Sequence, residues 1–107
     1  MVINFKKEYL KELYETGKCS NKKYRYQPNV IKRYAKCIFT LQEAQKIEDL
    51  YRYNSLSYKL LSGDKSGISS IRVNDQYRIE FIVTEIEGID EIIITVCNIL
   101  ELANHCK

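Results

Sequence analysis

At 107 residues and a net charge of +3, the chain has the size of one domain, 1–107, able to bury roughly two thirds of its unfolded surface without metal or disulfide staples. A single proline, four glycines and a 45% apolar share argue against linkers and disorder. The richest apolar run, 92–100, is broken by Thr95 and Asn98 and has strand length, so it does not read as a membrane span. Charge arrives early, at Lys6, Lys7 and Glu8, which argues against a secretory signal and points to the cytoplasm.

In chain order, residues 2–5 alternate like a short strand, and 6–16 read as a helix. Its apolar residues Tyr9, Leu10, Leu13 and Tyr14 fall at helical spacing, and Gly17 closes it. Residues 19–26 form a polar, basic loop. Pro28 suits the first turn of a second helix, with Val30, Ile31, Tyr34, Ala35, Ile38 and Leu41 on one broad stripe. A further short helical piece is expected around 44–50, and 51–57 leads toward a sheet. Strands follow at about 69–74, 76–84 and 91–97, the last two joined by an acidic tip at Glu85, Ile86, Glu87 and Gly88. The last strand carries apolar groups on both faces, which suggests an inner strand covered by helix. The fold class is α+β: a small antiparallel sheet with N-terminal helices packed on one face. No sustained heptad and no exposed apolar edge strand stands out, so a monomer is expected.

The hairpin at 69–81 is the most informative segment. Ile71 and Val73 share one face, and Tyr77, Ile79 and Phe81 share one face of the next strand. For these sets to meet on one core, the connection must hold an odd number of residues. A three-residue loop, Asn74-Asp75-Gln76, satisfies this, with Asn or Asp taking a left-handed conformation. That register sets Ile71 against Ile79 and Arg72 against Arg78. Two facing arginines repel unless an anion lies over them, or they splay into solvent or pair with Glu80.

Charge is unevenly placed: residues 1–60 sum to +7 and 61–107 to −4. Lys22, Lys23, Arg25, Lys32, Arg33 and Lys36 are interleaved with Tyr24, Tyr26 and Tyr34, a pattern suited to phosphates and unpaired bases or to a solvated helix face. The cysteines Cys19, Cys37, Cys97 and Cys106 form no C-x-x-C pair and read as reduced thiols. His105 beside Cys106 lacks a second ligand pair, so neither a metal nor another cofactor is expected.

The opening Ile3-Asn4-Phe5-Lys6, the stretch Leu13-Tyr14-Glu15-Thr16-Gly17, the turn Gly63-Asp64-Lys65-Ser66-Gly67 and the hairpin from Ser70 to Ile79 resemble HigB-type toxins. These belong to the RelE/ParE superfamily of bacterial type II toxin–antitoxin systems. The resemblance implies a ribosome-dependent endoribonuclease that cuts messenger RNA in the ribosomal A site. It also implies a cognate helix-turn-helix antitoxin, through which alone the complex would meet operator DNA. Arg78 matches the family's hairpin arginine, with Arg72 as a second phosphate clamp. His105 resembles the family's terminal histidine and is a candidate for proton transfer, and Lys59 falls near where many relatives place a histidine before the glycine turn, a candidate to hold the phosphate or donate a proton. Lys65, Asn74, Lys32, Arg33 and Lys36 are candidate RNA contacts.

Two positions depart from the family pattern: Ser62 and Asn74 stand where relatives often carry basic residues. Lys65 and Arg72 are candidates to compensate for that missing charge. Two other readings stay open on the sequence: a ParE-like toxin that blocks a protein such as DNA gyrase, and an antitoxin-binding member without catalysis.

Overall fold

A computed structural model of the chain describes residues 1–104. The described strands form one five-stranded sheet. They are β1 (Val2–Phe5), β2 (Lys59–Leu60), β3 (Ser69–Arg72), β4 (Tyr77–Glu87) and β5 (Ile93–Asn104), in the order β1-β5-β4-β3-β2. Helices α1 (Glu8–Thr16) and α2 (Pro28–Glu43) pack on one face. The sheet is mixed rather than antiparallel, because β1 runs parallel to β5, with Ile3 opposite Cys97 and Phe5 opposite Ile99. The chain leaves β1 into α1 and returns to its neighbour only at its far end, so nothing local sets that pairing.

Local chemistry explains both helices. The last turn of α1 is closed by Gly17 at φ +73°, whose N–H donates to the Leu13 carbonyl at 3.0 Å. Pro28 opens α2, which buries Val30, Tyr34, Cys37, Ile38 and Leu41. The Tyr34 hydroxyl donates to the Leu10 carbonyl at 2.7 Å, so the two helices are joined by a satisfied buried phenol. Between α2 and β2, the expected helical piece is a 3₁₀ turn at Ile47–Arg52, followed by another at Asn54–Leu56.

The β3–β4 register is the expected one: Ile71 faces Ile79, and Arg72 faces Arg78. Its loop closes without a left-handed residue. Instead the Asn74 side-chain oxygen accepts from the N–H groups of Gln76 (2.9 Å) and Tyr77 (2.7 Å), an Asx turn doing the work of a positive φ.

The last two strands run well past their expected ends. A bulge sets Glu80 opposite Glu101 but Phe81 opposite Ile99, leaving Leu100 as the extra residue. Core positions in β5 therefore fall at Cys97, Ile99 and Leu102, a step of two and then of three. Beyond the bulge, β1 still flanks β5 as far as Val96, and past it Glu85–Glu87 and 93–95 continue as a two-stranded arm; the longest dimension is 44 Å. Among the described residues no strand flanks β4 past Phe81 on its β3 side. Ile86, Ile92 and Ile93 are exposed there, and Ile89 is 86% exposed, so the expected absence of an apolar edge does not hold.

Candidate active site

The helix-free face of the sheet gathers the basic residues. Opposed residues share a face, so the register lines up Lys59 with Ser70, Glu80 and Glu101 in one row, and Arg72 with Arg78 and Ala103 in the next. Four strands thus supply one short patch.

Arg78 is the best-held side chain of this patch. Its Nε donates to Ser70 Oγ at 2.5 Å. Its Nη2 donates to the Ser57 carbonyl at 2.5 Å and to the Ser70 carbonyl at 3.2 Å. Its Nη1 has no partner among the described residues. Partial burial and the neighbouring Arg72 charge both lower the pKa of Arg78, in that order of weight. The cation persists at neutral pH, but it is under-compensated. Arg72 pairs with Asp75, an exposed residue three positions on in the hairpin loop.

Glu80 does not serve as the clamp for Arg78 that the sequence allowed. It is buried (3% exposed), and the Lys65 ammonium donates to it at 2.8 Å. The hydrogen bond to Glu80 raises the Lys65 pKa. Lys65 is thereby committed to holding the Gly63–Lys65 turn against β4, which makes it a positioning residue more than a free phosphate ligand. Lys59 is exposed on β2 with its side chain on the site face. Ser62 is exposed and caps nothing, and Asn74 spends its side-chain oxygen on the hairpin turn. His105 lies outside the described residues, one position past Asn104, which pairs with Tyr77.

The α2 candidates divide. Arg33 and Lys36, one turn apart, line an open cavity of about 300 Å³ together with Arg72. Lys32 is exposed but does not line it. The tyrosines interleaved with these charges are not free stacking platforms. Tyr34 is fully buried, Tyr24 stacks on Tyr9 at 3.7 Å, and Tyr26 meets Tyr77 edge-on at 5.2 Å. They build core instead.

Sequence reasoning missed three contributors. Ser57 supplies the carbonyl that anchors Arg78 from a left-handed turn at φ +44°, and a backbone role leaves no residue-type signal. Ser70 fills the space beside Arg78 at 0% exposure. Tyr53 lines the α2 cavity from a segment with neither helical nor strand period. Cys19, Cys37 and Cys97 carry free thiols, and burial pushes Cys37 and Cys97 each up to about 11, so neither is poised as a nucleophile.

Helices on one face, a mixed five-stranded sheet and a basic patch on the opposite face make this an α+β protein. The solved structure of a YoeB/ParE toxin from Agrobacterium tumefaciens superposes with a TM-score of 0.54 over 99% of this chain and 100% of that one. At 16% identity, that likeness speaks for the fold. No curated protein matches in sequence. The family model of HigB-like toxins, described as RelE-like toxins of type II toxin–antitoxin systems, matches residues 3–94. The chain belongs to this family, and membership implies a cognate antitoxin as partner. The match spans Lys59, Lys65, Arg72 and Arg78, and stops short of His105. No described helix is long and apolar enough to cross a membrane.

Proposed function

We propose that the protein is a ribosome-dependent endoribonuclease that arrests translation by cutting messenger RNA in the ribosomal A site. The observation that carries this reading is the Arg72–Arg78 pair, set face to face on the open side of the sheet with Arg78 anchored by Ser57 and Ser70. Placing two cations opposite each other costs stability, and an anion lying over them offsets that cost. A phosphodiester approaching its pentavalent state is such an anion, and the Nη1 group of Arg78, left over from the bonds to Ser57 and Ser70, can donate to it.

In the proposed reaction the ribose 2′-oxygen attacks the adjacent phosphorus, and the bond from phosphorus to the 5′-oxygen breaks. The products are a 2′,3′-cyclic phosphate and a 5′-hydroxyl. One proton leaves the 2′-hydroxyl and another must reach the 5′-oxygen. Arg78 holds the non-bridging oxygens, with Arg72 beside it once released from Asp75. Lys59, on the same face, and His105 are the proposed carriers of the protons. Lys65 supports the site through Glu80. The few acid–base groups suit an enzyme whose substrate is oriented by the ribosome. Cytoplasmic action and operon repression through a helix-turn-helix antitoxin belong to the same proposal.

Tightly induced expression of the wild type, Arg78→Ala and His105→Ala, followed by growth and transcript mapping, tests it. The expected outcome is growth arrest with cuts inside reading frames for the wild type, and silence from both variants. Equal arrest by all three proteins would instead favour blockade of a protein target such as gyrase.

A further inference from the structure

The cavity beside α2 is built differently from the sheet-face patch, although Arg72 belongs to both. Its lining includes two exposed cations of α2, Arg33 and Lys36, and Arg72, whose guanidinium pairs with Asp75; among the described residues no Asp or Glu lines it. Its floor is apolar, formed by the buried side chains of Cys37, Leu56 and Val73. One wall is Tyr53, half exposed and without an aromatic partner among the described residues. The backbone that carries that tyrosine is tied on both sides: its N–H donates to the Leu50 carbonyl at 3.1 Å, and its carbonyl accepts from the Leu56 N–H at 2.9 Å.

A simple anion site needs the cations but not the apolar floor or the ring. An acidic peptide would use the cations and leave a flat ring face to no purpose. A nucleotide uses all three features: phosphate on the rim, base against the ring, sugar and base edge over the floor. Its volume of about 300 Å³ is of mononucleotide scale. The cavity also neighbours the proposed scissile-phosphate site, since Arg72 in its lining is the cross-strand partner of Arg78.

We propose that this cavity is a subsite for one nucleotide of single-stranded RNA flanking the cleaved bond, with Tyr53 as its stacking platform and Arg33, Lys36 and Arg72 as its phosphate clamp. This inference rests on the ribonuclease reading for its biological meaning but not for its test.

The test titrates the full-length protein with adenosine 5′-monophosphate, inorganic phosphate and a short poly-glutamate peptide, followed by backbone amide shifts and calorimetry. The expected result is saturable nucleotide binding, with shifts centred on residues 33–40, 53–56 and 72–73. The nucleotide should bind roughly ten-fold more tightly than phosphate. Tyr53→Ala should erase that difference while leaving phosphate binding intact, and Tyr53→Phe should keep it. The double variant Arg33→Ala/Lys36→Ala should weaken both ligands in parallel. Equal binding of phosphate and nucleotide overturns the subsite in favour of an anion site. Preferential binding of the peptide overturns it in favour of protein docking. Lack of saturation, or shifts centred elsewhere, overturns it outright. Loss of messenger cleavage with nucleotide binding retained would sink the proposed reaction and leave the subsite standing. Cleavage without nucleotide binding would do the reverse.

Discussion

Strand β4 changes character at its bulge, and its two halves show what organises this molecule. Up to Phe81, the first residue past the bulge, Ile79 and Phe81 are fully buried beneath the helices, while Arg78 and Glu80 are held on the other face by Ser70 and Lys65. After it, Ile82, Glu85, Ile86 and Glu87 all stand exposed. Residues 79–104 carry six acidic side chains and no Lys or Arg, whereas the site end gathers Lys59, Lys65, Arg72 and Arg78. The strand has similar alternation throughout. What differs is whether other elements reach it: β3 stops at the partner of Phe81, and α1 and α2 cover only the bulge-proximal end. Periodicity makes a strand, but neighbours decide whether it is core, site or arm.

The sharpest way to break this contrast is to remove apolar volume from each half. Phe81→Ala should destabilise the fold by about 3–5 kcal/mol, since it empties a packed site, and chemical denaturation reads this directly. Ile89→Ser, at the tip of the arm, should change stability by less than about 0.5 kcal/mol in the same experiment. A large cost at Ile89 would mean that the arm is packed after all.

Alkaline titration is expected to come next in size. Burial raises the pKa values of Cys37 and Cys97 from 9.0 to about 11, and those of Tyr9, Tyr26 and Tyr34 above 10.0. A raised folded-state pKa means that the native protein holds its proton more tightly than the unfolded chain. That stability is fully present below pH 9 and lost as pH climbs through the folded values. Unfolding free energy should therefore fall between about pH 9 and 11, by on the order of 2 kcal/mol for each buried thiol. Denaturation at graded pH checks this, and Cys37→Ala should flatten the curve at the core end.

A smaller effect should come from Lys65→Ala. It removes the partner of a buried carboxylate, but Lys65 itself is half exposed, so solvent screens the pair and the expected cost is about 1 kcal/mol. The same variant should slow the proposed cleavage, because the Gly63–Lys65 turn loses its tie to β4.

Much of the core end was readable in the residues. The α2 stripe, the Gly17 stop, Pro28 at the first turn and the β3–β4 register all follow from local periodicity and turn chemistry. The parallel placement of β1 was not readable, because it joins the two ends of the chain through long-range packing. Nor was the length of β5: Leu100 breaks the period of two, and a bulge absorbs the break. At the site, Arg72 and Arg78 were identified by alternation. Their anchors were invisible because Ser57 acts through its carbonyl, and the pairing of Lys65 with a buried Glu80 was not readable because it joins a loop to a strand position. The tyrosines misled for a related reason. Beside basic residues they resemble stacking platforms, yet Tyr24, Tyr26 and Tyr34 face the core, and the half-exposed Tyr53 sits in a segment without pattern.

The central claim is that an anchored Arg78 stabilises a cleaving phosphate. Its most direct test is single-turnover cleavage of an end-labelled messenger on programmed ribosomes by the wild type, Arg78→Lys and Arg78→Ala. The account predicts cuts in the A-site codon for the wild type. Arg78→Ala should be slower by at least about 100-fold, the scale of losing one transition-state donor, with Arg78→Lys in between. Cleavage by a folded Arg78→Ala at the wild-type rate would contradict it.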